Sequence, residues 1–147
     1  MNSLEKYEKY CADNKIKLTG IRREVLKQIT EHAPIKAYKI IAALKKNHAK
    51  KISPPLVYRA LDVLLKKGVV HKLEKLRAFI ICDHPGAVHN QCAIFYCTQC
   101  HRIQEICSHD FRHFIQKSQT SHDIQIEKST VELYGKCARC LPATTTS

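Results

Sequence analysis

Two C-x-x-C motifs constrain this chain more than any other feature: Cys97 with Cys100, and Cys137 with Cys140. Two thiolates at this spacing can reach one metal ion from a single tight turn, so two such turns supply a complete tetrahedral shell. A shell closed by four sulfurs leaves no open position for a substrate, which predicts a structural zinc site. Two redox dithiols, or four unrelated thiols, are the less favoured alternative because thioredoxin-type dithiols occur singly on a βαβ pattern.

The 36 residues between the two motifs exceed the usual zinc-ribbon spacer. A small subdomain is therefore expected to fold between the two turns and to be closed at its base by the metal. A unit of roughly 55 residues commonly needs a metal or a partner subunit for stability, and both are expected here. The predicted elements are strands at 93–96 and 103–106, a helix with Phe111, Phe114 and Ile115, and strand-like alternation at 124–127 and 131–134.

The composition favours a cytoplasmic protein with no membrane contact. The 147 residues suffice for one or two small domains, and no apolar run approaches the roughly eighteen residues that span a bilayer. In a reducing compartment the eight cysteines are expected to be reduced thiols and metal ligands, with Cys11, Cys92 and Cys107 as structural or spare thiols. The chain shows no nucleophile with an orienting base and no phosphate-binding glycine loop, so neither an enzyme nor a small-molecule substrate is expected.

Positive charge is concentrated in the first part of the chain. Residues 1–84 contain 19 Lys and Arg against 8 Asp and Glu, whereas residues 85–147 contain 6 against 5. Phosphate contacts dominate nucleic-acid binding and increase with the number of cations presented. The basic part is therefore predicted to bind nucleic acid, the alternative being a lysine-rich surface that is merely solvated.

Helical periodicity and capping signals predict four helices followed by a β-hairpin. The first helix ends near Asn14, the second begins after Thr19, and a shorter third helix follows Ala37. Ser53 and Pro54 provide N-cap and N1 chemistry for the fourth helix, and Gly68 is placed to end it. The β-rich runs at 69–73 and 78–82, on either side of 74–77, complete a winged helix-turn-helix.

The fourth helix carries the residues expected to read DNA. Its leucine side faces inward, which leaves a polar face near the helix start, where recognition helices contact base edges in the major groove. Arg59 can bond guanine O6 and N7, and Tyr58 offers a ring for a thymine methyl group and a hydroxyl for phosphate. A surface ion pair between Arg59 and Asp62 is the alternative. The predicted DNA-binding residues are Tyr58, Arg59, Arg22 and Lys66.

The segments LTGIRREVL (18–26), PPLVYRALDVLLKKGVVHKLE (54–74), FYCTQC (95–100) and YGKCARC (134–140) together resemble the ferric uptake regulator superfamily, and within it the zinc uptake regulator branch. The resemblance implies an α/β (α+β) fold with a winged-helix DNA-binding domain at 1–84 and a hinge at 85–91. The tail at 142–147 is expected to be disordered because chain ends are commonly poorly ordered, and the resemblance further implies an α/β dimerisation domain at 92–141, which contains the four-cysteine zinc site. Such proteins are cytoplasmic homodimers that, when loaded with metal, bind palindromic operators and repress metal-uptake genes.

The resemblance also implies a second, regulatory metal site at the hinge. Positions 71 and 82 are symmetric about a hairpin centred between Leu76 and Arg77, which predicts cross-strand partners with Cβ atoms about 4.5–5.5 Å apart. One thiolate, two imidazoles and one carboxylate suit zinc better than iron or manganese. A strand histidine and a small buried cysteine are the simpler alternatives. The implied ligands are His71, Cys82, His89 and Glu105, with Asp83 and His84 as alternatives to His89.

These features predict a zinc-responsive repressor of zinc-uptake genes that binds operator DNA when zinc occupies the hinge site, with about two zinc ions per monomer. A regulator of the same superfamily that responds to iron, manganese or peroxide is one alternative. The iron-type sites of the family use a histidine eight residues before the third structural cysteine, and Ser129 occupies that position. A constitutive, zinc-stabilised nucleic-acid-binding module is the other alternative.

Overall fold

The computed structural model describes residues 3–47, 51–85, 92–127 and 129–143, and the chain divides into two compact units, residues 1–87 and 88–147. The predicted α/β (α+β) fold is confirmed: helices precede a winged hairpin in the first unit, and a mixed sheet with one helix forms the second. The elements are α1 (Ser3–Asp13), α2 (Gly20–His32), β1 (Ile35–Lys36), α3 (Ala37–Asn47), α4 (Pro54–Lys66), β2 (Val70–Leu73), β3 (Ala78–Ile81), β4 (Ala93–Cys97), β5 (Ile103–Ile106), α5 (His109–His122) and β6 (Val131–Gly135).

The core of the first unit is built from the apolar faces of its four helices. Leu26 and Ile29 of α2 and Leu61 of α4 are almost completely buried, as their helical spacing predicted. Fully burying one such side chain stabilises the fold by about 1.5–3 kcal/mol. α1 adds Tyr7 and Cys11 to the same core. This packing fixes the orientation of α4, so its opposite face is presented to solvent.

Helix α4 ends where the sequence predicted. Lys67 is its C-cap, and Gly68 follows with a φ of 66°, a conformation open to glycine because it has no Cβ. The backbone N–H of Val69 then donates to the Leu64 carbonyl at 3.0 Å, which closes the helix end. Ser53 occupies the N-cap position of this helix as predicted, although its side chain makes no capping hydrogen bond.

The wing of the first unit is a three-stranded sheet in the order β1-β3-β2. The hairpin is present as predicted, but its register differs from the prediction: His71 pairs with Ile80, not with Cys82. The reason is the turn, in which the Arg77 N–H donates to the Glu74 carbonyl at 3.2 Å and Arg77 adopts a φ of 50°. This turn centres the hairpin one position earlier than expected and shifts the pairing by two residues.

The second unit is a sheet in the order β5-β4-β6, with β4 antiparallel to β5 and parallel to β6. α5 lies between β5 and β6 in the chain, and its start is capped by Ser108, whose Oγ accepts from the Phe111 N–H at 3.1 Å. The strands predicted at 93–96, 103–106 and 131–134 and the helix between them are confirmed.

The strand predicted at 124–127 is wrong. Asp123 adopts a left-handed conformation with φ 51° and ends α5. The Ile124 N–H then donates to the Gln119 carbonyl at 3.1 Å, and the Ile126 N–H donates to the Gln119 side-chain oxygen at 2.8 Å. Because these two backbone donors bond to the end of the helix, they are not available to a β-ladder.

The second unit buries few apolar side chains. Among its described residues the buried apolar set is Ala93, Ile94, Cys97 and Ile115. Large apolar side chains are instead between 38% and 63% exposed, which is typical of a surface that a partner covers. Within the described ranges no helix is both long and apolar enough to cross a membrane. The exposed apolar residues of this unit are Ile106, Phe114, Ile124, Leu133 and Leu141.

Candidate metal and DNA-binding sites

The sheet of the second unit explains how two distant C-x-x-C motifs meet. β4 and β6 are parallel neighbours, and Cys97 at the end of β4 pairs with Gly135 at the end of β6. Parallel neighbours end at the same edge of a sheet, so the two cysteine-bearing turns lie side by side. The Thr98 N–H donates to the Gly135 carbonyl at 2.8 Å and joins the two turns directly. The 36-residue insertion therefore forms β5, α5 and the return to β6.

The four sulfurs of this cluster fit a zinc ion. All four Sγ atoms, of Cys97, Cys100, Cys137 and Cys140, lie within 4.8 Å of one another, and the Cys100 and Cys137 sulfurs are 3.6 Å apart. Tetrahedral zinc with Zn–S bonds of about 2.3 Å places its sulfur ligands about 3.8 Å apart. The spacing of the thiols thus matches the edge of a tetrahedral zinc-thiolate site.

Hydrogen bonds prepare the cluster for a cation. The backbone N–H of Cys100 donates to the Cys97 sulfur at 3.5 Å and that of Cys137 donates at 3.4 Å, and together they lower the pKa of the Cys97 thiol to about 5. Burial, followed by hydrogen bonds with the other cluster thiols, raises the pKa of Cys140 to about 12. Thiolate is the metal-binding form, so one ligand is available as the anion while another gives up its proton when a metal binds.

A second pair of potential ligands lies on the wing of the first unit. Cys82 directly follows β3, and its backbone N–H donates to the Val69 carbonyl at 3.0 Å. Because His71 is opposite Ile80, it is a diagonal neighbour of Cys82 on the same face of the hairpin. A ring nitrogen of His71 and the Cys82 sulfur lie within 4.8 Å of each other. The two residues are therefore close enough to share an ion, although they are not direct cross-strand partners.

The structure describes only some of the other residues implied for the regulatory site. Glu105 lies on β5 of the second unit, opposite Ile94, and is 9% exposed. A carboxylate this buried is uncommon without a partner of opposite charge or a metal. His89 falls outside the described residues. Its alternatives Asp83 and His84 lie just after β3 and are exposed.

Helix α4 presents the predicted polar face to solvent. Tyr58 is 50% exposed, and Arg59 and Lys66 of the same helix are also exposed. The alternative of an ion pair between Arg59 and Asp62 is not realised, since these two described residues form no salt bridge. The Arg22 guanidinium, in contrast, is partly buried and donates to the Lys17 carbonyl at 2.8 Å. The Arg59 side chain is thus freer than that of Arg22 to contact a base.

Sequence reasoning missed two features near these sites. The Tyr7 hydroxyl donates to the Cys82 carbonyl at 2.9 Å in a buried contact that ties α1 to the potential ligand. Cys92 and Cys107 form a disulfide, so the expectation that all eight cysteines are thiols or metal ligands is wrong. Pairing the two predicted strands, with Ala93 opposite Ile106, would have placed Cys92 opposite Cys107. No sequence pattern indicates the Tyr7 contact, which joins residues 75 positions apart.

Comparison with known proteins gives consistent matches over most of the chain. The model of the ferric uptake regulator family matches residues 13–134. The zinc uptake regulation protein of Escherichia coli K12 is 30% identical over 139 residues, which cover 94% of this chain and 81% of that protein. A solved structure of a zinc uptake regulator complexed with zinc and DNA has a TM-score of 0.80 and 30% identity, covering 93% of this chain and 91% of the other.

A second solved structure, that of holo XcZur, has a TM-score of 0.82 and 34% identity, with coverage of 95% of this chain and 98% of the other. The four-cysteine cluster and the winged helix agree with these matches. The chain therefore belongs to the ferric uptake regulator family and, within it, to the zinc uptake regulator branch.

Proposed function

We propose that this protein is a zinc-responsive repressor of zinc-uptake genes that binds operator DNA as a homodimer in the cytoplasm. The observation that carries the proposal is a four-thiol cluster in one unit together with a separate His71–Cys82 pair on the wing of a basic winged helix. The similarity to a zinc uptake regulator whose solved structure contains zinc and DNA supports it. The role is regulatory, and no catalytic step is part of it.

The four-cysteine cluster would hold a structural zinc ion. With four thiolate ligands the ion has no open position and supplies cross-linking rather than chemistry. Its protein ligands lie beyond the ends of β4 and β6, so it would fasten the edge of the sheet. A unit with so few buried side chains gains a substantial part of its folding free energy from such an ion.

A second zinc ion would bind at the hinge and act as the signal. His71 and Cys82 would hold it from the first unit, with Glu105 from the second and His89 from the linker. A thiolate ligand favours zinc over iron and manganese, which prefer nitrogen and oxygen shells. Ligands drawn from both units would fix one relative orientation of the DNA-binding units when zinc is bound. This gives two zinc ions per monomer.

Zinc would control DNA binding by setting the distance between two recognition helices in the dimer. Dimeric helix-turn-helix proteins match two half-sites about one helical turn apart, so only one orientation binds a palindrome well. By linkage, DNA must tighten zinc binding by the same factor, typically about 1–3 kcal/mol. The excess of cations in residues 1–84 predicts that binding weakens steeply with salt.

The proposed dimer would form through the second unit. Its exposed apolar residues include Phe114 on α5 at 63% and Leu133 on β6 at 43% exposure. A symmetric partner would cover the same patch on both subunits. This accounts for a unit whose own core is small.

The test is zinc per monomer and affinity for a palindrome from a zinc-uptake promoter, measured for wild type, Cys82→Ala and Cys11→Ala. Cys11 is the matched control because it is also a buried free thiol of the first unit but is not a proposed ligand. We expect two zinc ions in wild type and Cys11→Ala, one in Cys82→Ala, and loss of DNA affinity in Cys82→Ala alone. One zinc ion and equal DNA affinity in all three proteins would contradict the sensor and leave a constitutive DNA-binding protein.

A competition between metals tests the choice of zinc. The wild-type protein, with its structural site filled, is titrated with zinc, iron(II) and manganese(II) while DNA binding is followed. Zinc is expected to activate DNA binding at the lowest free concentration because of the Cys82 thiolate. Activation by iron(II) or manganese(II) at lower free concentrations than zinc would refute this assignment.

A further inference from the structure

A disulfide lies outside the four-cysteine cluster, and its Cys107 sulfur is within 4.8 Å of a carboxylate oxygen of Glu105, a proposed hinge ligand. Cys92 and Cys107 are cross-strand partners that extend the β4–β5 ladder one position beyond the pair of Ala93 and Ile106, with their Cα atoms 4.4 Å apart. We propose that this pair is a redox-active dithiol that exchanges with low-molecular-weight disulfides, and that its oxidation tightens zinc binding at the hinge. The redox activity of the dithiol is argued from the second unit alone, whereas the effect on zinc binding rests on the proposed function.

The reaction at this pair is selective because of how the cysteines are distributed. Cys107 is exposed and Cys92 is partly exposed, so a small thiol or disulfide can reach the pair. Cys11 and Cys82 are buried, and the remaining four cysteines would be held by zinc. Among the cysteines, the dithiol is therefore the accessible target for exchange, which depends on access and on thiolate character.

The ladder keeps the two sulfurs adjacent in either redox state. Four successive residue pairs join β4 to β5, ending at Ala93 opposite Ile106. When the disulfide is reduced, this pairing still holds the two cysteine backbones at neighbouring positions. Closure is then intramolecular and needs no rearrangement of the sheet, which favours a reversible pair.

The exchange is a two-electron reaction that balances without a metal. The Cys107 thiolate attacks one sulfur of a disulfide R–S–S–R, forming a mixed disulfide and releasing one thiolate, which takes up a proton. The Cys92 thiolate then attacks the Cys107 sulfur, forming the protein disulfide and releasing the second thiol. Two protein thiols are oxidised, one small-molecule disulfide is reduced to two thiols, and the reverse reaction reduces the protein.

The position of the pair connects it to one proposed hinge ligand, Glu105. Cys107 follows Glu105 by two residues, so the two side chains lie on the same face of the sheet. The disulfide joins Cys107 to Cys92 at the start of β4 and so fixes the end of β5, the strand that carries Glu105. Contacts that orient a metal ligand commonly change metal affinity by about tenfold or more. We therefore expect about tenfold tighter zinc binding in the oxidised protein.

Thiol mapping tests the dithiol itself. The full-length, zinc-loaded protein is equilibrated with glutathione and glutathione disulfide at a series of ratios, then alkylated and mapped by mass spectrometry. We expect the Cys92 and Cys107 labels to disappear together as glutathione disulfide increases and to return on reduction, while the cluster cysteines stay protected. Pairing of other cysteines, or a Cys92–Cys107 state that does not change across the series, would overturn the proposal.

Zinc competition tests the coupling. Chelator titrations compare oxidised and reduced wild type with the Cys92→Ser/Cys107→Ser double variant in the same two buffers. We expect about tenfold weaker hinge zinc on reduction of the wild type and no difference for the double variant. Equal affinities in the two wild-type states would overturn the coupling. If Cys82→Ala shows that no hinge zinc exists, the proposed function fails while the thiol map still decides the dithiol, so the two failures are distinguishable.

Discussion

Replacing Tyr7 by phenylalanine removes a single oxygen atom and tests how firmly α1 is tied to the wing. The Tyr7 side chain is 4% exposed, and its hydroxyl donates to the Cys82 carbonyl at 2.9 Å within the core. Phenylalanine keeps the ring and its packing, so the change isolates the hydrogen bond. A typical hydrogen bond contributes about 0.5–1.5 kcal/mol net, and a buried acceptor that loses its donor costs about 1–3 kcal/mol. We therefore expect Tyr7→Phe to lower the free energy of unfolding of the first unit by about 1–2 kcal/mol.

Urea unfolding followed by circular dichroism measures this change. The midpoint should decrease with an unchanged m-value, because the surface exposed on unfolding stays the same. Tyr58→Phe is the matched control: its ring is 50% exposed in the same unit, and its hydroxyl contributes no buried hydrogen bond. A loss in Tyr7→Phe no greater than that in Tyr58→Phe would refute the reasoning and show that water or another donor satisfies the Cys82 carbonyl.

Three further predictions concern DNA binding and pH. Arg59→Ala should cost about 1–3 kcal/mol of operator affinity and relax the preference at one base pair, measured by anisotropy on a set of mutated operators. Lys66→Ala should weaken binding equally on all sequences and reduce the salt slope by about one, measured by titration at several salt concentrations. Burial, then the hydrogen bond and charge of Glu132, raise the pKa of Tyr134 to about 12. Because unfolded tyrosine titrates near pH 10, the contribution of the neutral Tyr134 hydroxyl to stability is complete below about pH 10 and is lost as the pH rises to about 12. Tyr134→Phe should therefore remove this part of the decline in unfolding free energy at alkaline pH, measured by unfolding at each pH. An unchanged decline would contradict this prediction.

The first unit could be predicted from the sequence because its signals are local. The apolar stripe of α4, with Leu61 and Leu64 one turn apart, follows from the 3.6-residue period, and Gly68 marks the helix end through its positive φ. The register of the hairpin could not be predicted in this way. It depends on Arg77 adopting a left-handed conformation in the turn, which arginine has no strong preference to do. A shift of two residues leaves each side chain on its predicted face of the sheet. The prediction of a hairpin is therefore correct, although His71 is opposite Ile80.

The second unit was less predictable because its stabilising contacts join distant residues. The C-x-x-C motifs can be recognised in the sequence because two ligands in one turn form a local pattern. Their proximity could also be predicted, because one zinc ion with four thiolate ligands requires both turns. The disulfide depends on pairing β4 with β5 in one register, and the cysteine count alone leaves that pairing open. The segment after α5 alternates as a strand would, yet Asp123 and Gln119 hold its backbone at the helix end. In this segment hydrogen bonds to Gln119, five and seven residues earlier in the chain, override the strand-like alternation.

Strand β4 has a disulfide at one end and the proposed structural zinc site at the other, and two such cross-links would stabilise a unit with a small core. Its first pair, Ala93 opposite Ile106, is followed outward by the disulfide to Cys107, and its last residue, Cys97, enters the four-thiol cluster with the turn after β6. Because β4 is the central strand, the disulfide fastens one neighbour and the proposed structural zinc fastens the other. Under these proposals the two links would respond to different chemical conditions, thiol redox state at one end and zinc supply at the other. Since Cys107 lies two residues after Glu105, the sheet places this one proposed hinge ligand next to the proposed redox link, whereas the proposed structural zinc lies at the opposite end of the strand.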